Sequence, residues 1–71
     1  MSEDTNNRIT KREIEILNLL SRGLNSNDIA EALFISKNTV SFHRRQLLKK
    51  TDSKNIAELI GKAYRQGLLT E

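Results

Sequence analysis

Between Ile9 and Leu69 the apolar residues recur three and four positions apart, and polar residues able to cap a helix interrupt them at short intervals. This pattern of restarts restricts the fold more than any other feature. A period near 3.6 turns one stripe of each segment inward, whereas a strand would need strict alternation. Helix one is expected over "ITKREIEILNLLSRG", where Thr10 and Glu13 have the spacing of a capping box. Ile16, Leu17 and Leu20 form its inner face, Ile9 is the staple before the cap, and Gly23 suits a left-handed stop. Helix two follows in "LNSNDIAEAL", capped by Asn25 or Ser26, with Asp28 in its positive first turn and Ile29, Ala30 and Leu33 inward. "FIS" breaks the period, and Ser36 caps a third helix running to about Lys50. "TDSKN" is the next break, with Ser53 or Asn55 as cap and Asn55 with Glu58 as a second capping box. Helix four, "IAELIGKAYRQ", ends at Gly67, after which two leucines fold back. Four helices joined by short turns predict an all-α, four-helix bundle. A short helix, a three-residue turn and a longer basic helix make a helix-turn-helix within it.

Seventy-one residues suffice for one small domain with a thin core. The polar stretch Met1–Arg8 reads as a disordered arm or linker, leaving residues 9–71 as the domain. There is no cysteine, which excludes a disulfide framework, a thiolate metal site and a cysteine nucleophile, and fits a reducing cytoplasm. No apolar run approaches a membrane span, and no signal-peptide core follows the N-terminus, so no membrane partner is expected. The sequence also lacks a nucleophile–base pair, a phosphate-binding glycine loop and a ligand cluster, so neither enzyme nor cofactor chemistry is expected. His43, the only histidine, has no cysteine or second histidine to complete a metal site. Its expected role is to bridge helix three to the body or to donate to a phosphate.

Charge is distributed unevenly. From Ser36 to Lys54 six basic residues face one acid, Asp52, while the other fifty-two residues carry six basic and eight acidic, so the segment is +5 and the remainder −2. A concentrated positive segment on a slightly acidic body is the footprint of a polyanion site. At about 100° per residue, Val40 and Leu47 share one side of helix three, with Leu48 beside them. Asn38, Ser41, Phe42, Arg45 and Lys49 cluster opposite, so a phenylalanine stands among the charges rather than in the core. Lys37, Asn38 and Thr39 open the helix, where backbone N–H groups suit phosphate oxygens. Arg44 lies near the packing side with a stem that buries and a head that reaches phosphate, and Lys49 adds a further phosphate contact. Lys11, Ser26, Asn27 and Lys54 are weaker phosphate candidates.

The segments "ITKREIEILNLLSRG", "DIAEALFISKNTVSFHRR" and "AELIGKAYRQGLL" together resemble the LuxR-type (GerE-like) DNA-binding domain, from about Ile9 to Leu69. The resemblance implies a four-helix domain that dimerises through its last helix and binds inverted-repeat promoter DNA with its third; one small helix face buries little area, so the dimer is expected to be weak without an upstream domain. It matches Ser41, Phe42 and Arg45 to base-facing positions. Arg45 is then expected on guanine O6 and N7, Phe42 over a thymine methyl, and Ser41 as a small adaptable contact. It also makes Leu59, Lys62, Ala63 and Gln66 a plausible dimer surface, while the helical period sends Ile60 and Ala63 toward the core. Two residues depart from the family pattern. Gln46 stands where asparagine is usual, and Thr51 stands where an apolar residue is usual, which predicts a looser end to helix three.

The expected function is therefore transcription regulation by sequence-specific binding of double-stranded DNA. Output would come through polymerase contact or occlusion, in a response-regulator effector domain or a small stand-alone regulator. Two competing readings are a module like region four of a sigma factor and a protein-interaction module. The second would set the basic helix on an acidic partner and make Phe42 its anchor.

Overall fold

The computed structural model describes residues 8–69, and among them four helices form an all-α domain: α1 (Lys11–Ser21), α2 (Ser26–Leu33), α3 (Lys37–Lys50) and α4 (Ile56–Arg65). The expected N-terminal arm lies outside the described residues except for Arg8. The carbonyl of Arg8 accepts a 2.7 Å hydrogen bond from Lys50 Nζ, so this position is tied to the body.

Each helix begins where its polar cap predicts. Glu13 N–H donates to Thr10 Oγ1 at 3.1 Å and Thr10 N–H donates to Glu13 Oε1 at 2.9 Å, closing the box. Asn25 caps α2, and a second reciprocal box forms there with Asp28, whose N–H donates to Asn25 Oδ1 at 2.9 Å. The box expected at α4 closes only halfway. Glu58 N–H donates to Asn55 Oδ1, but the Glu58 carboxylate accepts from Lys54 N–H at 2.7 Å instead of from Asn55. Ser36 Oγ caps α3 by accepting from Thr39 N–H at 3.0 Å.

The helix ends are closed by the same logic. Gly23 (φ 92) and Gly67 (φ 80) take the left-handed conformation. The N–H groups of Leu24 and Leu68 then reach back to the carbonyls of Leu19 and Ala63. Helix three also closes, contrary to the looser end expected from Thr51. Asp52 adopts φ 55, and Ser53 N–H donates to Leu48 O at 2.8 Å. Thr51 Oγ1 donates to Leu47 O at 2.7 Å, so its hydroxyl replaces apolar packing with a hydrogen bond.

The core gathers Ile16, Leu17 and Leu20 of α1, Ile29 and Ala30 of α2, Val40 and Leu47 of α3, Leu59 and Ala63 of α4, and the returning Leu69. Ile9, Leu33, Leu48 and Ile60 pack against it, half-buried. One ion pair crosses this body. Lys50 Nζ lies 2.9 Å from Glu13 Oε1, and the side chains are only 11% and 4% exposed. Glu13 thereby caps α1 and holds the far end of α3.

Helix four is turned differently from the expectation drawn from the family resemblance. Leu59 and Ala63, placed on a dimer surface by the resemblance, are both 0% exposed, so Ala63 faces the core as the helical period alone expects. They stand one helical turn apart, so both point into the core, and a partner molecule cannot touch them in this fold. Lys62 is half-buried, and its Nζ donates to the carbonyls of Thr51 and Asp52. Gln66 alone of the four is exposed. Ile60, expected inward, is half-buried at the edge of the core. The open face of α4 instead carries Ala57 and Tyr64, with Gly61 half-buried between them.

Candidate nucleic-acid interface

Helices α2 and α3 are joined by three residues, Phe34–Ser36, which gives the helix-turn-helix its short corner. Val40 and Leu47, both 0% exposed, anchor α3 on the body. That anchoring fixes which side of α3 stays open: Asn38, Phe42, Arg45 and Lys49 are exposed along the opposite face. Phe42 is 49% exposed, so its ring lies among the polar and cationic side chains as the helical period predicts. Its inner edge meets His43, the two ring centroids 5.5 Å apart and steeply inclined. Ser41 is half-buried on the flank of this face, where it lines a shallow open recess with Arg44, Arg45 and Leu48.

The cations of the basic segment divide by partner. Lys50 turns inward to Glu13. Arg44 is half-buried, and its Nη1 donates to Ser26 Oγ across the α2–α3 contact. Ser26 was a candidate for an outward phosphate contact, but it is only 9% exposed and its hydroxyl accepts from Arg44. Lys37, Arg45 and Lys49 are exposed with no carboxylate partner among the described residues. Lys11, Asn27 and Lys54 are also exposed.

At the start of α3 the cap consumes some groups and frees others. Thr39 gives its N–H to Ser36 Oγ and shares a 2.9 Å hydroxyl contact with it. Among the described residues the N–H groups of Lys37 and Asn38 have no acceptor, and both residues are exposed. The helix therefore opens with two unpaired N–H donors beside a lysine, a geometry suited to an anionic oxygen. His43 is half-buried, and its Nδ1 is enclosed without a hydrogen-bond partner among the described residues. Its visible contact is the edge-on packing that steadies Phe42.

Residues 7–63 match the family model of bacterial regulatory proteins of the luxR family. The chain belongs to this family. It is a DNA-binding domain of a transcription regulator. Its relatives include the oxygen regulatory protein NreC of Staphylococcus haemolyticus, 43% identical over 61 residues, covering 86% of this chain and 28% of that protein. The putative positive transcription regulator of virulence factors BvgA, from Bordetella pertussis, is 38% identical over 60 residues, covering 84% and 29%. Among solved structures, the response regulator ChrA of a heme-sensing two-component system superposes with a TM-score of 0.84 at 37% identity, covering 87% of this chain and 31% of that one. The chain thus spans less than a third of the length of these proteins.

Two features of the interface were missed by sequence reasoning. The Glu13–Lys50 pair had a signal, since an acid fixed in a capping box near an inner helix face was already in the pattern. The Arg44–Ser26 bridge had none, because it depends on how α2 crosses α3.

Proposed function

We propose that this domain regulates transcription in the cytoplasm by binding promoter DNA, with α3 lying in the major groove of the duplex. The observation that carries this reading is the open face of α3. Asn38, Phe42, Arg45 and Lys49 stand opposite the buried Val40 and Leu47, in a segment of net charge +5. Arg45 takes guanine O6 and N7, Phe42 covers a thymine methyl, and Ser41 fits beside them as a small contact. Lys37, Asn38 and Thr39 set the helix start on one phosphate strand, and Lys49 meets the backbone near the other end. Arg44, already tethered by one nitrogen to Ser26, offers its remaining donors to phosphate. Specificity thus comes from three side chains, and register from the rest.

A second copy on an inverted repeat would double the contacts. The surface for it is the open face of α4, with Ala57, Gly61 and Tyr64. Gly61 supports this choice. A Cβ built there would meet only Arg65 Nη1, at 3.5 Å, so the fold itself does not need a glycine in mid-helix. A closely approaching helix would. Such a face is small, so the dimer is weak in isolation and is strengthened by DNA or by a preceding domain.

The test is substitution of Arg45 by alanine, followed by selection of bound duplexes from a randomised pool. The expected result is a weaker complex with one base-pair preference flattened. An unchanged selected site would remove Arg45 from the base-reading set.

A further inference from the structure

Lys62 takes no part in the reading above, although it is half-buried and has no carboxylate partner among the described residues. Drawing an ammonium out of water costs free energy unless acceptors meet it. Here the acceptors are backbone carbonyls. Lys62 Nζ donates to the carbonyl of Thr51 at 3.0 Å and to that of Asp52. Thr51 caps the end of α3 and Asp52 follows it, so a cation of α4 stands at the negative end of the α3 dipole.

The turn after α3 takes up the carbonyls that the helix leaves over. Thr51 N–H donates to Leu47 O, Asp52 N–H to Lys49 O and Ser53 N–H to Leu48 O. The last of these bonds follows from the left-handed φ of 55 at Asp52, a conformation that is costly without glycine and persists where the surroundings fix it. Lys62 supplies that fixing from a neighbouring helix. Glu58, one turn earlier on α4, adds a second hold by accepting from Lys54 N–H at 2.7 Å.

Behind this turn lies the last turn of α3, and it carries Lys49. Lys49 is exposed on the open face one turn beyond Arg45, and its own carbonyl is among the three that the turn takes up. Lys50 beside it is pinned by Glu13, whereas the Lys49 ammonium has no partner among the described residues. Helix ends open more readily than helix middles, so a phosphate contact on a last turn is only as fixed as the cap that closes it.

We propose that Lys62 is a positioning residue for DNA binding: from α4 it locks the closing turn of α3 and so holds Lys49 where it meets a phosphate. The proposal rests on the promoter-binding reading, in which α3 lies in the groove.

The experiment is a double-mutant cycle in this chain, with Lys62→Met, Lys49→Ala and the two together. Methionine keeps an apolar stem and removes the donors. Each protein is titrated over a range of salt with a duplex carrying one half-site, so that a second copy does not enter, and with one carrying the paired half-sites. All titrations are run below the melting temperature of every variant. On the half-site, Lys62→Met is expected to bind about three- to tenfold more weakly and to lower the slope of log affinity against log salt by about 0.9, the same loss as Lys49→Ala. The double variant is expected to bind no more weakly than Lys49→Ala alone. Lys62→Arg keeps the charge and the donors and restores the parental slope. If Lys62→Met does not fold, Lys62→Gln, with a neutral donor in place of the ammonium, enters the cycle instead. The proposal is overturned if the Lys62 variant leaves the slope unchanged, or if its loss adds in full to that of Lys49→Ala. A loss seen on the paired half-sites alone would assign Lys62 to self-association and overturns it too. If the parent binds no duplex, the promoter reading falls and this proposal with it; an unaltered Lys62 variant beside a parent that binds removes this proposal alone.

Discussion

Arg45 and Lys49 stand one turn apart on the same open face of α3, yet their chemistry gives them different work. A guanidinium can grip two acceptors of one base, whereas an ammonium is a point charge suited to phosphate. Arg45→Ala should lose about 1–3 kcal/mol of discrimination at a single base pair. Lys49→Ala should weaken all duplexes alike and reduce the slope of log affinity against log salt by about 0.9, one phosphate's worth. Titrating a panel of duplexes, each altered at one base pair, at two salt concentrations separates the two outcomes. The outward position of Phe42 was legible from the helical period alone, because Val40 and Leu47 fix the inner side. The left-handed Phe34 was not legible. The sequence signal for such a conformation is glycine or asparagine, and neither is there.

At the scale of elements, α3 is held to α1 at one end and to α2 near its middle. Lys50 reaches Glu13 and the Arg8 carbonyl, and Arg44 reaches Ser26. Glu13→Ala leaves a buried ammonium unpaired and opens the α1 cap, so it should cost about 3 kcal/mol or more by urea unfolding. Replacing Glu13 and Lys50 together by methionine should recover much of that loss, since an apolar pair removes the uncompensated charge. Helix four gives the complementary test. Leu59→Ala should destabilise the fold by about 2–5 kcal/mol because it empties a core site. Gly61→Leu should leave melting nearly unchanged and abolish self-association in sedimentation. If Leu59→Ala left melting intact and broke only self-association, the inward rotation of α4 would be wrong. The helices themselves were legible because caps and apolar period coincide at all four starts. The rotation of α4 was not, because Ile56, Leu59, Ile60 and Ala63 offer overlapping apolar stripes. Only packing against the rest of the core chooses between them.

For the whole molecule, the division of charge matters more than the total. The segment from Ser36 to Lys54 carries +5 on a body of −2, and the structure turns Lys37, Arg45 and Lys49 outward while Lys50 is neutralised inside. The domain should therefore approach DNA in one orientation, with α3 leading. The most direct measurement is fluorescence anisotropy of this chain titrated with a selected inverted-repeat duplex and a scrambled one, at low and at moderate salt. Steep salt dependence together with a clear affinity gap between the duplexes is the predicted result. Equal affinity for both duplexes, or none for either at low salt, would contradict base reading by α3.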